Sequence, residues 1–188
     1  MFRIRLHSTF PFVFTAQCTL VHLRVGLCKS SPEAVYYLNG SSLRTVDEVR
    51  DLGILVDAHM SFKSHSNVTV AKAHVRANQI VHCLLSRDPE TLVRAFVTYV
   101  RPLVEYCSAV WSPYTIGLIK RVESVQKVFT KKLQGMRYLS YEERLSVLNL
   151  ESLEVRRLKN DLVTCFKILQ GYTNITATEF FYTIWRLH

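Results

Sequence analysis

The sequence predicts an α+β fold that is predominantly α, a small β-hairpin and strand segment followed by a helical bundle, and three observations carry that prediction. Residues 18–57 read as strands and turns, beginning with the alternating, β-branched CTLVHLRVGL at 18–27. From about Ser61 the apolar period lengthens to three and four residues, as on one face of a helix. Beyond that point capping and stop residues fall where the periodic runs begin and end, so local propensity and hydrophobic pattern agree.

The elements follow in order. CTLVHLRVGL, at 18–27, reads as a strand, and VYYLNGSSL, at 35–43, places Asn39-Gly40 between strand-like residues. That dipeptide suits a two-residue hairpin turn, whose central positions both need positive φ. DLGILVD, at 51–57, is a short apolar run ending in an acidic turn, with Asp47 and Asp51 read as turn and cap residues. The first helix then carries the stripe Val70, Ala73, Ala77, Ile80, Val81 and Leu84. A second opens at Asp88-Pro89, an N-cap followed by the residue best tolerated in a first turn, with Leu92, Val93, Phe96, Val97 and Val100 facing the core.

Pro102 lacks a backbone donor and crowds the preceding turn, so it kinks or splits this helix; the apolar run then continues to Trp111, and Pro113 helps to end it. A third helix spans 116–134 and stops at Gly135. Ser140 and Glu143 stand in capping-box spacing ahead of a short fourth. The fifth runs from about Ser152 to Gln170, with Val155, Leu158, Leu162, Phe166 and Leu169 expected inward and Gly171 as terminator. Four segments result: a divergent 1–17, a β segment at 18–60, a helical domain at 61–171 and a tail at 172–188.

A formal net charge of +9, from 24 Lys and Arg against 15 Asp and Glu, favours polyanionic partners, nucleic acid first among them. The five cysteines are odd in number and form no C-x-x-C pair, which argues against a disulfide scaffold or a cysteine zinc site. Cys83, Cys107 and Cys165 sit among apolar residues and are expected to pack as small hydrophobes in a reducing compartment. Arg3 and Arg5 ahead of an apolar patch sketch a signal peptide, but His7, Ser8, Thr9, Pro11 and Phe14 spoil it. The expected location is intracellular, nuclear or cytoplasmic, without secretion or a membrane span.

The third helix carries the chemistry. Leu118, Val122, Val125, Phe129 and Leu133 fall within roughly 80° of one another, and Lys120, Lys127 and Lys131 cluster about 180° away. Arg121 and Lys132 project from one flank, Arg137 follows, and Glu123 is the one carboxylate of the helix. A lysine ridge suits phosphate backbone, because compact ammonium groups neutralise phosphates without reading bases. A row of lysines on a helix is also, in most proteins, simply a solvated face.

Tyr99, Arg101, Tyr106, Trp111 and Tyr114 form an aromatic and basic cluster around Pro102, placed to stack on a strand end; Tyr106 and Trp111 are preferred as core anchors. For Arg101 a salt bridge to Glu105 and a phosphate contact both stay open. Arg156, Arg157 and Lys159 alternate with Glu154 and Asp161, which favours ordinary surface pairing. Enzyme signals are missing from the pattern. There is no Asp-Asp pair, no H-E-x-x-H, no phosphate-loop glycine pattern and no G-x-S-x-G. His74 and His82 lie about 12 Å apart along one helix, too far for one metal, so no metal or cofactor site is expected.

YVRPLVEYCSAVWSPY at 99–114 and IGLIKRVESVQKVFTKKLQG at 116–135 resemble the C-terminal part of non-LTR, LINE-type retrotransposon reverse transcriptases. The same resemblance extends through YLNG at 37–40, VDEVRDLGILVD at 46–57, LSYEERL at 139–145 and SLEVRRLKNDLVTCFKILQG at 152–171, collinearly from about Cys18 to Phe181. It implies that 18–60 is the end of a polymerase palm, that Leu52 and Gly53 match the primer grip on its last strand, and that 61–171 is the thumb holding an RNA–DNA duplex. Its catalytic aspartates, and the Mg2+ they hold, belong to a region upstream of this one. The chain is therefore expected to be catalytically inactive, a remnant cut at both ends that binds duplex non-specifically through Lys120, Lys127, Lys131, Arg121, Lys132, Arg137 and Arg101. The alternative is a co-opted module that docks another protein through an unpaired palm edge or apolar helix faces.

Overall fold

The computed structural model describes residues 19–21 and 35–175. As the sequence predicts, they are mostly helical, with short strands preceding seven helices. By internal contacts the chain divides into two units, residues 1–49 with 57–60 and residues 50–56 with 61–188. The division falls within the 18–60 segment, because residues 50–56 group with the helices.

In the first unit β1 (Thr19–Leu20) pairs in parallel with β4 (Arg44–Thr45). β2 (Tyr37–Leu38) pairs antiparallel with β3 (Ser41–Ser42) across Asn39 and Gly40, whose φ values are 50° and 79°. That is the expected hairpin turn with both central residues left-handed. β5 (Glu48–Asp51) and β6 (Ile54–Asp57) form a third two-stranded ladder. Its turn is Leu52-Gly53, with φ of 45° and 90°. The expectation that Leu52 and Gly53 lie on a strand is corrected here: they are the turn itself. Leu52 holds a left-handed conformation that a branched side chain adopts at a cost, and it is 84% exposed. The Cys18 and Cys28 positions and the tail beyond Ile175 lie outside the described residues.

The second unit contains α1 (Lys63–Cys83), α2 (Pro89–Tyr99), α3 (Arg101–Glu105), α4 (Ser108–Trp111), α5 (Ile116–Lys131), α6 (Tyr141–Val147) and α7 (Leu153–Leu169). Asp88 caps α2 by accepting a hydrogen bond from the Thr91 amide at 2.8 Å. The helix breaks at Val100 ahead of Pro102, as its missing donor requires. A second interruption went unforeseen: Cys107, at φ 54°, separates α3 from α4, so the run to Trp111 is two short helices. Ser140 and Glu143 form the full capping box of α6, and Ser152 caps α7.

Val70, Ala73, Ala77 and Ile80 of α1 pack with Leu92, Phe96 and Val100 of α2, Val104, Trp111, and Val122, Val125 and Phe129 of α5 in one core. The Phe96 and Phe129 rings stack with centroids 4.4 Å apart. Trp111 is a core anchor as expected, its indole N–H donating to the Tyr106 carbonyl at 2.7 Å. Tyr106 is not: its ring is exposed, and its hydroxyl donates instead to the Leu52 carbonyl at 3.0 Å. The cysteine expectation is also corrected, since Cys83 and Cys107 are exposed and Cys165 half-buried. Cys83 closes α1 and Cys107 sits at the break between α3 and α4.

His65, in the first turn of α1, is a buried residue that sequence reasoning left as ordinary. Its Nδ1 accepts from the Leu55 amide at 3.2 Å, its Nε2 lies 3.4 Å from the Thr69 hydroxyl, and its ring meets the edge of Trp111 at 4.9 Å. Burial, with Arg50 and Lys72 adding repulsion, lowers its pKa. Because the folded value lies below the unfolded one near 6.5, its stabilisation is complete above that pH and is lost as pH falls through the lowered value. Urea titrations between pH 7.5 and 5 are expected to show the midpoint dropping, and the drop shrinking in His65→Gln; an equal drop in both proteins would assign it elsewhere.

Candidate nucleic-acid interface

The geometry of α5 follows from what surrounds it. Val122, Val125, Phe129 and Leu133 are buried as the angular reading predicts, and Leu118 is half-buried. Gln126 and Thr130 are also fully buried, which the apolar period could not reveal. Gln126 donates to the Glu151 carbonyl at 2.8 Å, and the Thr130 hydroxyl donates to the Gln126 carbonyl at 2.9 Å. The helix is thus packed over a wide arc, and the remaining strip bears Lys120, Lys127 and Lys131, all exposed.

The one carboxylate of α5 is withdrawn from that strip. Glu123 accepts the Leu153 amide at 3.0 Å, the Glu154 amide at 2.9 Å and the Tyr141 hydroxyl. It supplies negative charge to the first turn of α7, where unpaired backbone donors and the positive dipole end favour it. At the other end of α5 the buried Arg144 guanidinium donates to the Lys127 carbonyl at 3.3 Å, the Leu139 carbonyl at 2.7 Å and the Thr130 hydroxyl at 3.2 Å. A cation at a helix C-terminus is the favourable complement. Both locking residues, Glu123 and Arg144, lie within polar runs that read as surface.

With Glu123 engaged, Lys120, Lys127 and Lys131 have no carboxylate at ion-pair distance among the described residues. Lys127 lies 5.8 Å from the Tyr141 ring centroid. Arg121 and Lys132 stand on the flank against α1, bonded to Asn67 and, at 2.6 Å, to Asn78. His74 faces the same seam, its Nε2 3.2 Å from the Ser124 hydroxyl. Burial and the Lys132 charge lower the His74 pKa. The pairs 67 with 121 and 78 with 132 show that α1 and α5 run parallel, so their N-termini share one end. There Lys63, Arg121, Tyr114, Thr115 and Gly117 help to line an open depression of about 450 Å³. Arg137 is exposed beyond the end of α5.

Arg101 leaves the set. Its side chain is 11% exposed, 3.9 Å from Glu105, so the salt-bridge alternative is the one observed. Burial and the neighbouring Arg156 lower its pKa, against the opposing pull of Glu105 and Glu151. Tyr99 and Tyr114 are exposed, while Trp111 is buried, so the aromatic cluster does not gather as one stacking platform. The surface pairing expected on α7 is corrected too. Arg157 is 3% exposed, Arg156 pairs with Glu105 and Glu151, and Lys159 pairs with Glu151. Acidic charge collects elsewhere, where Glu123, Glu142, Glu151 and Glu154 surround a depression of about 540 Å³. Among the described residues no group of His, Cys, Asp and Glu has the arrangement to hold a metal ion, and no helix is long and apolar enough to cross a membrane.

No protein-family description matches the chain. No solved structure matches it. Among curated proteins it is similar to an uncharacterized protein of Caenorhabditis elegans, 27% identical over 128 residues, which cover 66% of this chain and 65% of that relative. The chain therefore spans slightly less than two thirds of that relative's length.

Proposed function

We propose that this chain is a catalytically incomplete remnant of a non-LTR retrotransposon reverse transcriptase that holds RNA–DNA duplex through phosphate contacts along α5. The observation that carries the reading is the unneutralised ridge of Lys120, Lys127 and Lys131, left bare because Glu123 is engaged at the start of α7. Arg121, Lys132 and Arg137 extend it. Leu52 and Gly53, the primer-grip-like pair, stand at an exposed hairpin tip whose carbonyl is held by Tyr106, a position suited to touching a strand. On this reading the residues of this chain hold duplex, and the resemblance assigns Mg2+ and its aspartates to a region upstream of them. The compartment is intracellular on this reading.

Binding of a labelled RNA–DNA hybrid across a salt series tests it. The affinity is expected to fall steeply with salt and to be indifferent to sequence. Lys120→Glu, Lys127→Glu and Lys131→Glu together are expected to weaken binding at low salt by about a hundredfold and to flatten the salt slope by about 3. Equal binding by the triple variant, or none by the folded protein, would sink the proposal.

A further inference from the structure

α7 is turned opposite to the expectation from its amphipathic pattern. Arg157 is buried, and Asp161 and Thr164 are half-buried, so its polar face is the packed one. Contacts from three other elements pin it that way: Glu123 accepts the Leu153 and Glu154 amides, Arg156 pairs with Glu105, and Asn160 donates to the Ser108 hydroxyl at 3.1 Å. Val155, Leu158, Leu162, Phe166 and Leu169 are left on the other side at 43 to 60% exposure. They recur at three- and four-residue steps, a continuous apolar stripe about 21 Å long. A stripe of this size marks a surface used for association.

The spacing of the stripe fits a second copy of itself. Leu162 stands at its centre, with Leu158 and Phe166 four residues to either side and Val155 and Leu169 seven. The steps are therefore the same read from either end. A two-fold contact requires that if residue i faces j, then j faces i, and a palindromic stripe laid antiparallel on its own copy meets that condition at every level. Leu162 then faces the second copy's Leu162, Leu158 lies level with the second copy's Phe166, and Val155 with the second copy's Leu169. At about 100° per residue Leu158 and Phe166 lean to opposite sides of Leu162, so side chains at one level sit beside each other across the seam and interdigitate. Charge does not oppose the contact. The charged residue of α7 nearest the stripe is Lys159, and Glu151 of its own chain already pairs with it. At the exposure observed, the five side chains present about 500 Å2, so two copies bury about 1,000 Å2, the lower bound for a specific interface.

We propose that α7 is the contact of a symmetric antiparallel homodimer, with the two-fold axis at Leu162 and the stripe of each copy covering that of the other. This inference stands apart from nucleic-acid binding.

Sedimentation of the full chain tests it, in about 0.5 M salt so that phosphate contacts to any carried nucleic acid are released. An interface at the lower bound of area gives a dissociation constant on the order of 10 µM, so the mass is expected to double between about 1 and 200 µM. Leu162→Lys sets two like charges against each other at the axis and is expected to leave a monomer at every concentration. Its thermal unfolding at low concentration is expected to match that of the unaltered chain, because the side chain it replaces is exposed. Oxidation reads the register in a chain whose five cysteines are replaced by serine. There Leu162→Cys is expected to form a covalent dimer and Val155→Cys none, since the two copies of residue 155 lie about 21 Å apart. A monomer at the highest concentration, a dimer that survives Leu162→Lys, or cross-linking at residue 155 in place of 162 would overturn the proposal.

Discussion

Phe129→Ala is expected to cost the helical unit about 3–5 kcal/mol, the usual penalty for emptying a buried aromatic site. Phe129 and Phe96 are both essentially inaccessible and stacked at 4.4 Å, joining α5 to α2 at the centre of the core. The void would be lined by residues already fixed by their own helices, Val100, Val122 and Val125 among the core members, so collapse is restricted. Thermal unfolding by far-UV circular dichroism is expected to shift down by about 10 °C. Phe129→Leu, which keeps most of the volume, is expected to lose less than half as much. A loss below about 1 kcal/mol for the alanine variant would mean that the two rings do not share one core.

Glu123→Ala is expected to cost about 3 kcal/mol, unusual for a glutamate on a lysine-rich helix. Three donors lose their acceptor together: the Leu153 amide, which belongs to a fully buried residue, the Glu154 amide and the Tyr141 hydroxyl. The first turn of α7 also loses its facing negative charge. Burial, then the bond to Glu123 and its charge, hold the Tyr141 phenol well above its ordinary range. With the folded value raised, this contribution is complete below about pH 10 and is lost at higher pH. Absorbance titration at alkaline pH is expected to show one late-titrating tyrosine that moves toward the ordinary range in Glu123→Ala. A stability change under about 0.5 kcal/mol would show that α5 does not anchor α7 through Glu123.

These two sites differ in how visible they are from the sequence. Phe129 was legible, since it recurs with Val122 and Val125 on a helical period and the core lies on that face. Glu123 reads as a solvated charge, because its partners are amides some thirty residues away, and backbone groups leave no trace in side-chain pattern. Arg144 is hidden for the same reason: from α6 it donates to the Lys127 carbonyl of α5 and to the Leu139 carbonyl of the loop before α6. The lysine ridge was readable as a face, but its freedom from neutralisation was not, since that depends on where Glu123 turns. Tyr106 is exposed rather than in the core; the residue after it, Cys107, takes a left-handed conformation that separates α3 from α4.

By itself the sequence determined the features that rest on local physics. Asp88, Ser140 with Glu143, and Ser152 satisfy backbone donors within three residues of themselves, Asn39-Gly40 meets a local steric demand, and Gly171 ends α7, so each could be placed without knowing its neighbours. Only the tertiary structure decided which side of α7 turns inward. Periodicity shows that a helix has two faces, and burial of apolar area then favours the apolar one. On α7 the ion pair of Arg156 with Glu105, the bond of Asn160 to Ser108 and the hold of Glu123 on the first turn fix the helix from outside its own sequence. Those partners lie some thirty to fifty residues away, and their satisfied polar contacts orient α7 with its polar face packed and its apolar stripe exposed.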